Sequence, residues 1–381
     1  MTVLIVPSWY KAGSGAQLGS FFREQAFALQ KRGVTTIIAD ASLQDRNVSL
    51  QGQFQLRKIN DEGLLTYTYT TPSFGGWRVP WFGALLCYNN LKKLYRKIIA
   101  DGIKIDVIHA HSFFPAGIAA IRLGQKYNIP VVITEHSSDL VEKIATEPQI
   151  HYLKECVEKA AAFICVGHAL KRSVVELTST EKPVVVIPNM VDKMFTINSQ
   201  PQTEVYSFVS VGNLIERKRM DLVIKAFASA FSKEESVFLK IIGDGELRQD
   251  LEALAQELGV ARKVSFTGRL PRTEVAAQLA DNNGFVLASN SESFGVVYIE
   301  ALACGLPVIG TRNGGADDII TDECGCLVDT NNSQQLAEAM RYVYEHRDQY
   351  DKDTLAANCQ ANFGEDVVCN RIIEIYQRIA K

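Results

Sequence analysis

Residues 284–310 read GFVLASNSESFGVVYIEALACGLPVIG and contain two apolar runs separated by a longer segment. The runs 284–288 and 307–310 have the length of buried strands, whereas 295–303 has the length of a helix that stops at Gly305. Strand, helix and strand in this order form a parallel βαβ unit. The stretch therefore predicts a parallel sheet that is covered by helices.

The same alternation of short apolar and longer amphipathic segments runs through both halves of the chain. The predicted strands of the first half are 2–7, 35–39, 65–70, 106–110, 131–134, 162–166 and 184–187, with helices at 19–32 and 115–127. The predicted strands of the second half are 207–211, 237–242, 263–267, 284–288, 307–310 and 326–328. Its predicted helices are 219–231, 246–258, 272–281, 295–303 and 333–346.

This pattern predicts an α/β fold with two doubly wound, Rossmann-like domains. A polar stretch without hydrophobic periodicity suggests a linker at 193–206, between domains 1–192 and 207–364. Doubly wound sheets bind ligands at the carboxyl ends of their strands, so we expect the two domains to face a cleft. The pattern leaves open which domain the last helix, 365–381, packs on.

The composition excludes several classes of protein. The chain has 381 residues, is 47% hydrophobic and 22% charged, and is typical of a soluble globular protein rather than a disordered or fibrous one. It has neither a run of ~18 apolar residues nor a basic stretch at its start, so we expect a cytoplasmic protein. The basic residues form no stripe with interleaved aromatics, so nucleic-acid binding is not expected.

The cysteine and histidine spacings predict no metal site. Cys324 and Cys326 lack the second ligand pair that structural zinc needs. His109 and His111 should point to one face of a strand, a spacing that can bind metal, but no third ligand is recognisable nearby. We therefore expect no metal and no cofactor, and interpret the two histidines as core and cleft packing.

The segment after strand 284–288 combines two glutamates with exposed amides. Glu292 precedes the helix and Glu300 follows about two turns later, so they reach different parts of an elongated ligand. The free amides at the helix start predict an anion site; they belong to Phe294, Gly295, Val296 and Val297. The pattern favours a diphosphate site between two carboxylates, and the alternative is a capped amphipathic helix with surface glutamates.

Two other strand ends in the second half carry candidate ligand-binding loops. Arg217 and Lys218 follow strand 207–211 and form a cation cluster suited to a leaving pyrophosphate, or else a solvated loop. Gly243 and Gly245 form a Gly-x-Gly turn. Arg248 occupies the third glycine position of a dinucleotide fingerprint, so this turn alone is weak evidence for a nucleotide.

Together these motifs resemble the retaining glycosyltransferases of family 4, which have the GT-B fold. The resemblance rests on the Glu292-to-Glu300 segment, on residues 211–218 and on the Gly-Asp-Gly turn at 243–245. It implies transfer of a sugar, with retention, from a UDP- or GDP-sugar to a hydroxyl of a glycan or lipid-linked acceptor. Lys218, Arg217 and the helix start near Gly295 can stabilise the leaving diphosphate, so we expect no metal requirement. Bacterial surface polysaccharide biosynthesis is the process that the family most often implies.

The resemblance also implies a role for individual residues of the second, nucleotide-sugar domain. Glu292 contacts donor sugar hydroxyls, Glu300 binds the ribose, and Lys218 clamps the diphosphate. Asn213 stands after Gly212 where the family has Arg, and the neighbouring Arg217 can compensate. The base contacts are expected from the loop after strand 263–267, at Arg269 and Leu270.

In the first, acceptor-side domain the resemblance points to His136 and to a glycine-rich loop. His136 occupies a Thr-x-His position beside the donor sugar, which makes it a catalytic candidate with Glu292 and Lys218, although a lone histidine is more often structural. The glycines Gly13, Gly15 and Gly19 let the loop close over a ligand at a helix N-terminus, unless it is only a flexible surface loop.

A basic, aromatic segment at 77–97 suggests either of two structures. Aromatic side chains with a Lys/Arg cluster on one helix can lie on an anionic membrane leaflet, which would favour a lipid-linked acceptor and a peripheral location at the inner face of the plasma membrane. The same pattern also fits a core helix with a solvated face.

Two other functions are compatible with the motifs. A GT-B nucleotide-sugar epimerase would use the same two domains without an acceptor. A non-catalytic nucleotide-sugar binding protein would explain Asn213, and also Asp318, which stands where the family usually has Glu.

Overall fold

The computed structural model describes residues 1–10, 19–44, 53–76, 78–198 and 205–380. They form two compact units: Met1–Pro188 together with Val368–Lys381, and Asn189–Val367. Each unit is an α/β Rossmann-like domain built on a mostly or fully parallel sheet, as the sequence predicts. Of the predicted linker at 193–206, residues 199–204 lie outside the described part of the chain.

The first unit is built on a mostly parallel sheet. Its described strands are β1 Thr2–Pro7, β2 Thr35–Asp40, β3 Leu43–Gln44, β4 Arg57–Asp61, β5 Leu64–Thr68, β6 Thr71–Pro72, β7 Val107–His111, β8 Val131–Glu135, β9 Ala162–Cys165 and β10 Val184–Val186. The main sheet has the order β10-β9-β8-β7-β1-β2-β5-β4, in which only β4 is antiparallel to its neighbour, while β3 and β6 pair separately.

Helices connect these strands. They are α1 Ser20–Gln30, α2 Pro80–Ala100, α3 Ile118–Tyr127, α4 Ser138–Val141, α5 Glu147–Lys159 and α6 His168–Thr178. The helix α2 shows how they attach: a proline stands in its first turn, where no intrahelical N–H bond is lost, and Leu91, Leu94 and Ile98 form its buried stripe.

The second unit has a fully parallel sheet. Its described strands are β11 Tyr206–Val211, β12 Val237–Ile242, β13 Val264–Gly268, β14 Gly284–Leu287, β15 Val308–Thr311 and β16 Gly325–Val328, in the order β13-β12-β11-β14-β15-β16. The helices are α7 Met220–Phe231, α8 Arg248–Glu257, α9 Arg272–Ala280, α10 Val296–Ala303, α11 Ser333–Glu345 and α12 Lys352–Phe363.

The last helix, α13 Glu365–Ile379, begins in the second unit and belongs to the first from Val368 onward. In the first unit it buries Tyr376, whose hydroxyl lies 2.5 Å from Nδ1 of His109 on β7. This contact ties the end of the chain to the centre of the first sheet.

Each sheet changes its winding direction beside its first strand. β1 pairs with β2 on one side and β7 on the other, and β11 lies in the same way between β12 and β14. In open parallel sheets, ligands bind outside the carboxyl ends of the strands at such a switch point. The loops after β1, β7 and β8, and those after β11 and β14, are therefore the places where a site is expected.

Candidate functional site

The loops that follow β11 and β14 meet at the switch point of the second unit. The Asn290 N–H donates to the carbonyl oxygen of Arg217 at 2.9 Å, and Nζ of Lys218 lies 2.5 Å from Oε1 of Glu292. The Lys218 and Glu292 side chains are only 16% and 10% exposed. The structure thus brings together two predicted site residues that are 74 positions apart, as a desolvated ion pair.

The backbone of Glu292 is held by a buried polar network. Its N–H donates to the carbonyl oxygen of Asn313 at 3.0 Å, and the Asn313 side-chain amide donates to the hydroxyl of Tyr298 at 3.3 Å. Tyr298 is fully buried on α10, and burial raises the pKa of its hydroxyl. These bonds fix the backbone position from which the Glu292 side chain extends.

Gly295 is required by both its conformation and its neighbours. It precedes α10 with φ of 85°, and a Cβ there would lie 2.6 Å from a ring carbon of Tyr298. Glycine has no side chain with which to cap the first amides of α10, and the structure shows no side-chain cap at Gly295. The predicted anion site at residues 294–297 stays a prediction, with Phe294 itself 1% exposed.

Glu300 forms a buried ion pair that the sequence analysis missed. Its Oε1 lies 2.8 Å from Nη2 of Arg272, with the two side chains 7% and 24% exposed. The Arg272 guanidinium also stacks over the ring of Phe195, 5.1 Å from its centroid. Burial raises the pKa of Glu300, and the charge of Arg272 opposes that shift. No local sequence signal identifies Arg272, because its partner lies on another helix.

The glycines of the Gly-Asp-Gly turn have a packing role in the structure. A Cβ on Gly243 would lie 1.8 Å from the carbonyl oxygen of Gly212, and one on Gly245 would lie 2.4 Å from that of Leu214. The Leu214 N–H donates to the carbonyl oxygen of Asp244 at 3.1 Å. The loops after β11 and β12 therefore pack backbone against backbone, which only glycine permits here.

The remaining predicted donor residues lie on the surface of the same unit. Asn213 is exposed between Gly212 and the buried Leu214, and Arg269 is exposed directly after the edge strand β13. Leu270 is half-buried. Their predicted roles toward the diphosphate and the base stay predictions.

Three histidines form a row at the carboxyl ends of β7 and β8 in the first unit. The His109 ring bonds to Tyr376 through Nδ1 at 2.5 Å and to Oγ1 of Thr134 through Nε2 at 2.7 Å. Nδ1 of His111 lies 3.0 Å from Nε2 of His136. The ring centroids of His109 and His111 are 4.4 Å apart, which confirms that the two side chains share a face.

Burial keeps the two strand histidines neutral. It lowers the pKa of His109 to about 3 and that of His111 well below its ordinary value, to which the neighbouring His109 and His136 also contribute. In a neutral imidazole one ring nitrogen donates and the other accepts. The hydroxyl partners of His109 can take either role, so both of its ring nitrogens can be bonded in either tautomer. Within the described ranges, no group of three or more His, Cys, Asp or Glu is placed to hold a metal ion.

Glu135, the residue before His136, is a fully buried carboxylate that the sequence analysis did not single out. Its Oε1 accepts the N–H groups of His136 at 2.9 Å and Ser137 at 2.8 Å, and its Oε2 accepts that of Phe113 at 2.6 Å. Burial raises the pKa of Glu135, and these three bonds oppose the shift.

A cavity of about 400 Å³ lies beside this carboxylate. The polar and aromatic residues that line it include Trp9, Ser112, Glu135, His136, Asp139 and Gln149. They come from the loops that follow β1, β7 and β8, from the last residue of β8, from α4 and from the start of α5. The first unit thus has a pocket at its switch point.

Of the predicted glycine-rich loop, only Gly19 lies in the described part of the chain; Gly13 and Gly15 lie outside it. Gly19 has φ of 74°, and a Cβ there would lie 2.7 Å from the carbonyl oxygen of Trp9. The role of this loop toward a ligand stays a prediction.

Most of the basic segment 77–97 lies in α2, while Trp77 is outside the described residues. One face of the helix packs in the core, but Trp81 and Leu85 are 61% and 40% exposed. No helix in the described part of the chain combines the length and apolar character needed to cross a membrane.

Comparisons with known proteins agree with this architecture. Two protein-family models match the chain: Glycosyltransferase Family 4 over residues 18–194 and Glycosyl transferases group 1 over residues 194–358. Among solved structures, sucrose-phosphate synthase from Thermosynechococcus elongatus superposes with a TM-score of 0.79 at 19% identity, over 100% of this chain and 99% of that one. Anabaena HepE in complex with UDP-glucose superposes with a TM-score of 0.73 at 17% identity, over the whole of both chains.

Curated relatives extend the similarity to the sequence. A putative teichuronic acid biosynthesis glycosyltransferase of Bacillus subtilis is 25% identical over 100% of this chain and 99% of its own. An uncharacterized glycosyltransferase of Methanocaldococcus jannaschii is 32% identical over 252 residues, which are 65% of this chain and 68% of that protein. The fold is GT-B, and the chain belongs to the group 1 glycosyltransferases.

Proposed function

We propose that this glycosyltransferase moves a sugar from a UDP- or GDP-sugar to a hydroxyl of a glycan or lipid-linked acceptor, with retention and without a metal ion. The Lys218–Glu292 ion pair at the switch point of the second unit carries the proposal. HepE binds UDP-glucose, and the Bacillus relative is named for teichuronic acid synthesis, which supports a nucleotide-sugar donor and surface polysaccharide biosynthesis.

The departing diphosphate needs positive charge as its bond to the sugar breaks. We assign that charge to Lys218, to Arg217 next to it and to the amides at the start of α10; the ion pair of Lys218 with Glu292 beside that helix supports the assignment. A donor diphosphate replaces Glu292 as the partner of Lys218. The freed carboxylate then accepts hydrogen bonds from the hydroxyls of the donor sugar.

The other roles follow the family resemblance. The Glu300 carboxylate accepts hydrogen bonds from the ribose hydroxyls, and His136 lies beside the donor sugar. No enzymic nucleophile is assigned, because the resemblance implies that the acceptor hydroxyl attacks from the side that the diphosphate leaves.

We also propose peripheral contact with an anionic membrane through α2, at the inner face of the plasma membrane. The exposed Trp81 and Leu85 near its start offer apolar contact area. Lys92 lies close enough to Lys126 and Arg96 for their charges to lower the pKa of its ammonium group. Such a cation cluster favours anionic headgroups.

The two carboxylates of the second unit separate chemistry from nucleotide binding, and this tests the proposal. We expect Glu292→Ala to abolish transfer while leaving nucleoside diphosphate affinity largely intact, and Glu300→Ala to weaken that affinity. Transfer is measured as nucleoside diphosphate and glycoside product, and affinity by calorimetry. Glu257→Ala, an exposed glutamate on α8, is the matched control and should change neither.

Two results would contradict this reasoning. Equal loss of transfer and affinity in both variants would refute the division of roles. Release of an altered free sugar without any acceptor would indicate an epimerase instead.

A further inference from the structure

The pocket beside Glu135 indicates which acceptors the enzyme accepts. Resting on the proposed function, we infer that this pocket binds an uncharged, hydroxyl-rich group of the acceptor and rejects anionic groups, with Glu135 as the specificity-determining residue. Its volume of about 400 Å³ is in the lower part of the range of small-molecule pockets. That size suits one compact group rather than an extended chain.

The first argument is the use of the backbone amides. Backbone N–H groups that converge in a loop form a common binding site for phosphate or carboxylate. Here the N–H groups of Phe113, His136 and Ser137 are already bonded to the two oxygens of Glu135. An anionic acceptor group therefore finds these donors occupied by a carboxylate of the protein.

The second argument is charge. Glu135 and Asp139 both line the pocket, and none of its described lining residues is a lysine or arginine. A second anion placed beside these carboxylates would be repelled, and the low exposure of Glu135 weakens solvent screening of that repulsion. Neutral groups avoid this repulsion.

The third argument is an unused hydroxyl. Ser112 lines the pocket, is 3% exposed, and its Oγ has no hydrogen-bond partner within the described part of the chain. Its φ of 66° is unfavourable for a residue with a side chain, so the surrounding fold holds it there. A buried hydroxyl without a partner is a binding group for a ligand hydroxyl. Trp9 adds an aromatic surface to the same pocket.

The position of His136 connects this pocket to transfer. His136 lines the pocket, and the family resemblance places the same residue beside the donor sugar. A group held here is therefore close to where the acceptor hydroxyl attacks. The charge of that bound group therefore decides whether an acceptor binds in a position to react.

The test compares neutral and anionic sugars that differ at one carbon. The probes are methyl β-D-glucoside against methyl β-D-glucuronide, and methyl β-D-galactoside against methyl β-D-galacturonide. Binding to the full chain is measured by saturation-transfer NMR without any donor. We expect the neutral member of at least one pair to bind roughly tenfold or more tightly than its uronide.

Glu135→Gln should bring the ratio of neutral-sugar affinity to uronide affinity close to one, because it improves uronide binding. Because the change disturbs three backbone bonds, Asp139→Asn at the exposed rim is the second variant, and it should narrow the ratio in part. Glu142→Gln removes the same charge from a residue that does not line the pocket, so the ratio should be unchanged. Three results would overturn the inference. They are that no neutral sugar binds, that the uronides bind more tightly than the neutral sugars, or that neither pocket variant changes the ratio of the two affinities.

The test is independent of the proposed transfer. Selective binding of neutral sugars by a protein that turns over no UDP- or GDP-sugar would refute the proposed function alone. Efficient transfer that prefers anionic acceptors would refute only the acceptor specificity.

Discussion

Replacing Arg272 by alanine should destabilise the second unit strongly, because it leaves the buried Glu300 without its cation. The two charges are 2.8 Å apart, and Glu300 is 7% exposed against 24% for Arg272. Removing one partner of a buried ion pair costs about 3–5 kcal/mol. Since the arginine is partly exposed, we expect a loss near the lower end, about 3 kcal/mol.

The loss should depend on pH in a defined direction. Burial already raises the pKa of Glu300, and Arg272 limits that shift, so the pKa rises further in Arg272→Ala. A carboxyl whose pKa is raised in the folded state reduces stability progressively as the pH rises from its unfolded-state pKa to its folded-state pKa, and carries no penalty below the unfolded-state value. The deficit of Arg272→Ala should therefore be largest near pH 8 and shrink toward pH 5.

Both effects are measured by urea unfolding at pH 8 and at pH 5. The proteins compared are the wild type, Arg272→Ala, Glu300→Gln and the double variant. Because Glu300→Gln removes the unpaired charge, the double variant should recover about 2 kcal/mol relative to additivity. Arg272→Lys is a control that keeps the charge without the planar fork. Additive losses, or an equal deficit at both pH values, would show that the pair contributes packing rather than charge.

Two further predictions concern backbone contact and a buried acid. Gly243→Ala should lower the free energy of unfolding in urea by about 3 kcal/mol or more, because its Cβ would lie 1.8 Å from the carbonyl oxygen of Gly212. Gly259→Ala is the control: its φ is +70° but no atom lies within 4 Å, so it should lower that free energy by only about 1 kcal/mol. Equal losses in the two variants would contradict the clash. Burial raises the pKa of Asp40 to about 6, so Asp40→Asn should raise the unfolding free energy at pH 8 by up to about 3 kcal/mol and leave it unchanged below about pH 4. The absence of any gain at pH 8 would contradict the buried charge.

The strands could be predicted because their signal is local. Apolar runs bounded by turn residues predict 2–7 and 237–242, and these coincide with β1 and β12. The antiparallel strand β4, Arg57–Asp61, was missed because it lies at the edge of the sheet and four of its five residues are polar. An edge strand with one solvated side carries no apolar run.

The candidate site could be predicted only in part, because residue type does not determine residue partner. The loops after β11 and β14 were predicted to carry Lys218 and Glu292, and the structure joins them. The partner of Glu300 could not be predicted, because Arg272 lies 28 positions earlier on another helix. Gly243 is a different case, because a glycine that the sequence analysis assigns to a nucleotide-binding turn is also required by its close contact with the backbone of Gly212.

The buried carboxylates of the two units have different kinds of bonding partner, and this difference affects whether a ligand can displace the partner. Within the described part of the chain, Glu135 accepts hydrogen bonds from three backbone N–H groups. They belong to the loops after β7 and β8 and have no rotatable side-chain stem. Glu292 and Glu300 bond to the side chains of Lys218 and Arg272, which have rotatable stems. Under the proposed function, a donor diphosphate replaces Glu292 as the partner of Lys218, whereas the backbone donors of Glu135 stay in place when an acceptor binds. If the proposed function holds, the second unit thus supplies a cation whose partner changes as the donor enters and leaves, and the first supplies a fixed carboxylate that selects the acceptor.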